Sequence, residues 1–246
     1  MSAMKWSFRP GKIPLLVTLV LVPALASLGF WQLDRARQKQ ALFDHYTQRE
    51  AMQAVRLNDA IHHHAEDLLW RRVEASGTYD ADMLVFLDNQ IMDGKTGYHV
   101  LSPFRLEGTG AHILVNRGWL QAGAYRDQLP TVDTPVTALV LVGKIKEPGF
   151  TGFLLSEDVI EPVGPGILRT QAVDLQRLEA MLGMEFLPYL LRLEPESLSG
   201  FERDWPQTGT GAERHHGYAF QWFTMAAAVV ILFIFYTAKK TRVEQD

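Results

Sequence analysis

The sequence predicts two transmembrane helices flanking a mainly β (α+β) extracytoplasmic domain, built as an antiparallel sheet or small barrel. Two observations carry this fold class. Ile13 to Leu33 and Tyr218 to Ala238 are each 21 residues long and hold no charge. Between them, short alternating or β-branched segments are separated by turn-forming residues. At about 1.5 Å per residue, such a run spans about 30 Å as a helix, the hydrocarbon thickness of a bilayer. An apolar content of 47% would suit a soluble protein, but its concentration in two end segments does not.

The elements follow in order. Residues 1–12 form a basic tail with Lys5, Arg9 and Lys12, and 13–33 form the first span. A cleaved signal peptide is the alternative, but its apolar core would be only about 7–15 residues. Residues 34–67 form a membrane-proximal helix and linker. The stretch to Leu57 lacks Gly and Pro and continues the first helix, and Asn58 to Asp67 is a polar break. Residues 68–217 form the β-rich domain, 218–238 the second span, and 239–246 a second basic tail with Lys239, Lys240 and Arg242.

Inside the domain, strands are expected at Arg72–Tyr79, Met83–Asn89, Tyr98–Leu106, His112–Leu120, Val136–Ile145, Ile167–Thr170 and Phe186–Leu193. Glu107-Gly108-Thr109-Gly110 reads as a hairpin loop. Phe150 to Gly166 reads as loop, as does Glu196 to Arg214. Asp174 to Leu182 reads as a short helix capped by Asp174 and stopped by Gly183.

Charge gives orientation and excludes classes of partner. Lys and Arg in short flanks stay cytoplasmic, which puts both tails inside and the domain outside. Trp31, Tyr218 and Trp222 then lie in an aromatic belt on the outer face. From Asp34 to Gly217 the chain holds eight more acidic than basic residues, so it offers no broad basic surface for nucleic acid. The lipid bilayer is the partner that composition implies. There is no cysteine, which removes thiol nucleophiles and thiolate metal sites. Motifs of common hydrolases, metalloproteases and nucleotide-binding proteins are absent. His62-His63-His64 falls in the polar break and reads as solvated loop.

Four segments carry a family resemblance. They are Leu28-Gly29-Phe30-Trp31-Gln32-Leu33-Asp34-Arg35, Arg72-Val73 with Gly77-Thr78-Tyr79, Val115-Asn116-Arg117-Gly118-Trp119, and His215-His216-Gly217-Tyr218-Ala219-Phe220-Gln221-Trp222-Phe223. In this order and topology the chain resembles the surfeit locus protein 1 family, the cytochrome c oxidase assembly factors, over almost its whole length. The resemblance implies a non-enzymatic assembly factor in the inner (plasma) membrane of a bacterium. It implies haem a as cofactor. It implies the oxidase catalytic subunit and the haem a synthesis machinery as partners.

The His that matches the family motif is His215, the expected axial ligand of the haem iron. The family pattern has Asn two places earlier and Leu directly after, where this chain has Glu213 and His216. His216 therefore stays open as ligand, and His45 follows if neither serves. On a helix, His215 shares a face with Tyr218, Ala219 and Trp222, an aromatic wall beside the imidazole. Arg35, Arg37 or Arg214 can meet propionates. The other reading makes His215 and His216 interface residues with wet polar tips. Asn116-Arg117-Gly118-Trp119 reads as structural: a bulge at Gly118, a core Trp119, and Arg117 paired with an acid. Gln32, Trp31 and Arg35 are expected to help the spans pack through hydrogen bonds between helices.

Alternative functions are a membrane-anchored periplasmic scaffold or enzyme of unknown substrate, and a two-span receptor. The short tail after Ala238 counts against the receptor.

Overall fold

The computed structural model describes residues 4–8, 11–126, 128–149, 159–205 and 211–242. In chain order the elements are β1 (Met4–Phe8), α1 (Lys12–Ala51), β2 (Val55–Arg56), α2 (Leu57–Ala60), α3 (Ala65–Leu68), β3 (Arg72–Tyr79), β4 (Leu84–Met92), β5 (Lys95–Leu106), β6 (His112–Gln121), β7 (Leu139–Lys146), β8 (Glu161–Gly164), β9 (Ile167–Thr170), α4 (Leu175–Leu182), β10 (Phe186–Leu193), α5 (Ala212–Thr237) and β11 (Ala238–Arg242). They divide into a unit formed by Met1–His45 and Gln207–Asp246 and a unit formed by Tyr46–Pro206.

The first unit is a helical hairpin. Both α1 and α5 are long and apolar enough to cross a membrane. Large apolar side chains such as Ile13, Leu16, Phe220 and Phe235 are mostly exposed, as suits a surface solvated by hydrocarbon. Hydroxyls in this apolar stretch turn back on their own helix. Thr18 donates to Pro14 O at 2.9 Å, Ser27 to Pro23 O at 2.7 Å and Thr224 to Phe220 O at 2.8 Å. Each thus finds the one acceptor a lipid-facing helix can supply.

The buried residues of α1 are Leu25, Gly29 and Ala36, and those of α5 include Ala212, Ala219 and Ala226. The repeat of seven in α5 and the small side chains are what a close helix pair requires. Gly29 makes the closest approach, since a Cβ there would lie 2.7 Å from the Phe223 ring. Phe30 meets the same ring edge-on at 5.2 Å. Met4–Phe8 and Ala238–Arg242 pair as antiparallel strands, with Met4 opposite Arg242 and Phe8 opposite Ala238.

The second unit is a closed five-stranded barrel with additions. The ring runs β3–β7–β10–β6–β5 and closes through β5 onto β3. Of the two forms expected, sheet or small barrel, the barrel is present, and within it β10 and β6 pair in parallel with Leu190 opposite Leu114. The cause is arithmetic: neighbours that alternate direction cannot close an odd ring, so one pair must run the same way. β5 extends beyond the ring to carry β4, β9 and β8.

Alternate residues fill the barrel. Val73, Ala75, Phe104, Leu106, Ile113, Val115, Leu141, Ile145, Tyr189, Leu191 and Leu193 point inward, and Leu57 and Leu68 join the same core. The opposite face of β10 and β6, through Leu190 and Leu114, packs with Leu178 and Leu182 of α4. As expected, Asp174 caps α4 by accepting from Arg177 N at 3.2 Å, and Gly183 ends it.

Several boundaries differ from expectation. α1 stops at Ala51 rather than Leu57, because Val55 and Arg56 add in parallel to β3 and Leu57 is wholly buried. Strand β8 lies in the stretch read as loop, pairing with β9 as the sheet edge. Residues 150–158 of that stretch lie outside the described ones. α5 begins at Ala212, within the stretch read as loop to Arg214, and His215 and His216 lie in the helix.

Candidate functional site

The seam of the hairpin brings together two side chains that the sequence keeps 183 positions apart. His215 Nδ1 and Gln32 Oε1 are 2.7 Å apart, and both residues are half-buried. Gln32 follows Gly29 by three positions and precedes Ala36 by four, so it lies on the buried stripe of α1. His215 lies between Ala212 and Ala219 on the matching stripe of α5. The hydrogen bond between helices expected of Gln32 is therefore present.

The other predicted site residues scatter around this pair. Trp222 is half-buried on the stripe with His215 and the buried Ala219. Tyr218 is exposed, off that stripe. His216 is exposed. Arg35 is exposed and donates to Gln38 Oε1 at 2.9 Å, a bond within its own helix. Arg37, Arg214 and His45 are exposed, and so are His62, His63 and His64. Among the described residues no group of three or more His, Asp or Glu stands close enough to hold a metal ion. A single-histidine ligand to a macrocycle needs no such group.

A family model, that of the SURF1 family, matches residues 19–227. The chain belongs to the SURF1 family. The matched span holds both Gln32 and His215. A SURF1-like protein of Rickettsia bellii is 24% identical over 250 residues, covering 96% of this chain and 97% of its own length. One from Caenorhabditis briggsae is 25% identical over 241 residues, covering 89% and 74%. An uncharacterized SURF1-like protein of Mycobacterium bovis is 27% identical over 140 residues, covering 55% and 48%.

In this SURF1 chain the Asn116–Trp119 motif is a structural node of the barrel unit. Gly118 has φ +116°, a conformation that suits glycine, and a Cβ there would lie 2.6 Å from Glu202 O. The register between β5 and β6 shifts at this point, as a bulge requires. Trp119 is buried and donates from Nε1 to Gln90 O at 2.9 Å.

Arg117 departs from expectation. It is 1% exposed, and among the described residues no carboxylate forms an ion pair with it. It donates instead to Ser199 O at 2.9 Å, Thr134 Oγ1 at 2.9 Å and Asp133 O at 2.7 Å. Its guanidinium lies 4.9 Å from the Tyr79 ring centroid and 4.7 Å from that of Phe201. Carbonyl dipoles and ring faces thus hold the charge.

A second polar cluster escaped the sequence reading. Tyr46 stacks on Trp70 at 3.9 Å, and Lys146 Nζ lies 3.1 Å from the centre of the Trp70 ring. Glu50 holds Lys144 at 2.7 Å and reaches Lys146 at 3.9 Å. Burial, then the nearby Arg192, pushes the Lys146 amine down to about 7, while Glu50 works against that shift. Burial and Arg192 likewise push His99 down to about 4. The signal available in sequence was the alternation of Lys144 and Lys146 on β7, which places both on one face of a strand.

Proposed function

We propose that this SURF1 chain is an assembly factor for a haem-copper (cytochrome c) oxidase, and that it binds haem a through His215 and assists its delivery to the catalytic subunit. The basic tails support an orientation with both termini in the cytoplasm and the β domain in the periplasm, at the inner membrane of a bacterium. The partners are the oxidase catalytic subunit and the haem a synthesis machinery. The role is handling of a cofactor, not catalysis.

The observation that carries this reading is the contrast between the two neighbouring imidazoles. His215 is half-buried on the helix seam, whereas His216 is exposed. A haem iron takes a neutral imidazole next to apolar cover. Trp222, half-buried on the same stripe, offers such cover. Bound haem a would supply the iron centre and macrocycle that the oxidase requires. The chain's own part is to offer one nitrogen, shield one face and exclude water. Arg35, exposed one turn beyond Trp31, is free to turn from Gln38 toward a propionate.

The test is co-expression of the full chain with haem a synthesis, followed by an absorption spectrum of the purified protein. His215→Ala is expected to lose most of the bound haem and of oxidase activity while still accumulating in the membrane. His216→Ala is expected to keep most of both. The reverse pattern moves the ligand to His216, and retention by both variants removes the ligand from this motif.

A further inference from the structure

Resting on that assignment of His215, we propose that Gln32 is a positioning residue that selects which nitrogen of His215 faces the iron. The 2.7 Å contact joins Nδ1 of the ring to Oε1 of the carboxamide. With the carboxamide oxygen facing the ring, and able only to accept, the proposed bond puts the hydrogen on Nδ1. In a neutral imidazole the lone pair then resides on Nε2, and Nε2 is the nitrogen left for a metal. Gln32 thereby does for His215 what an outer carboxylate or carbonyl does for a ligating histidine: it fixes tautomer and ring orientation, and it makes the ligand nitrogen more basic.

Two further features make this pair a built arrangement. The first is its setting. Gln32 lies at the end of the first apolar run and His215 just before the second, where helix carbonyls are engaged by the helices themselves, so a side chain from the partner helix is the acceptor most readily supplied. The second is register. Gly29, one turn before Gln32, lets the Phe223 ring sit where a Cβ would be 2.7 Å away. That packing locks α1 against α5 within one turn of the hydrogen bond and keeps Gln32 opposite His215. Among the described residues the exposed His216 ring makes no such hydrogen bond, and the same selection does not reach it.

The experiment uses the full chain in lipid nanodiscs with ¹⁵N-labelled histidine, without haem, alongside the haem content of the same variants after co-expression with haem a synthesis. The wild-type His215 signals are expected to report hydrogen on Nδ1. Gln32→Leu is expected to lose that tautomer preference and to weaken haem retention about 10- to 100-fold, the usual effect of removing such an outer partner. Gln32→Glu retains an acceptor oxygen at the same reach and is expected to restore both readouts. Hydrogen on Nε2 in the wild type overturns the proposal without need of any variant. Full haem retention by Gln32→Leu, where His215→Ala loses it, overturns the positioning role and leaves the ligand assignment standing. Retention of haem by His215→Ala overturns the ligand assignment, and this proposal with it.

Discussion

The hairpin and the barrel solve the same problem, a polar side chain out of water, by different means. On the hairpin seam the answer is a neutral pair, Gln32 with His215. In the barrel it is a full positive charge, Arg117, held by loop carbonyls and two aromatic rings. The difference follows from the backbone around each site. A helix consumes its own carbonyls, so a spanning helix has few to lend and only side chains or its own preceding turn can satisfy a polar group. The loops at Asp133 and Ser199 leave carbonyls free, and several together can solvate a guanidinium. A charge is affordable where irregular backbone is at hand.

The largest break in this comparison is expected at Arg117. Arg117→Leu strands the Ser199 and Asp133 carbonyls and removes the tie between two loops and β6. It should cost about 3–5 kcal/mol, as removal of one side of a buried charged network does. Urea unfolding of the full chain in detergent, read by tryptophan fluorescence, checks this. A loss under about 1 kcal/mol would show that the carbonyl cage is not what holds these loops.

A smaller effect is expected on the seam. Gly29→Leu drives a side chain into the Phe223 ring and should cost about 1–3 kcal/mol of helix pairing. The chain has no cysteine of its own, so cysteines placed at residues 32 and 215 report pairing through a short thiol cross-linker. Cross-linking should be efficient with Gly29 and poor with leucine there. Equal efficiency would mean that the seam tolerates separation and that the neutral pair does not depend on close packing.

The smallest effect sharpens the electrostatic side. Lys146 releases its proton near 7 when folded, whereas an unfolded lysine holds it to about 10.5. The unfolded chain therefore binds more protons between those values, and stability should rise with pH across that window. Lys146→Met should flatten this rise, by about 2–4 °C in midpoint for each kcal/mol removed in a domain of this size. Thermal melts at pH 7 and pH 10 measure it. An identical pH slope in the variant would mean that burial beneath Trp70 does not set the charge of Lys146.

What could be read from sequence was whatever has a local signature. Charge-free runs mark the spans, Glu107–Gly110 marks a hairpin, and Asp174 with Gly183 marks both ends of α4. Gln32 was legible as a polar residue inside an apolar run, His215 as the histidine just before one, and a family motif surrounds each. Arg117 was legible as a special residue but not in its partners. Carbonyl acceptors have no sequence signature, since every residue carries one, and so an acid was the natural expectation. The pairing of Met4–Phe8 with Ala238–Arg242 joins opposite ends of the chain, and nothing in either pentapeptide announces the other. Val55 and Arg56 were absorbed into a helix by propensity, which yielded to an open sheet edge beside β3.

The parallel pair in the barrel has a consequence for the order of assembly. β10 is the last ring strand to be synthesised, and its place lies between β7 and β6, which are made earlier. Until Phe186–Leu193 has arrived, β6 and β7 each present a naked strand edge able to recruit a neighbouring chain. Closure must then wait on contacts between segments far apart in the chain, the slow kind. A polypeptide cut short before Phe186 would thus carry two adhesive edges rather than a smaller barrel, and the cell would meet it as a template for aggregation.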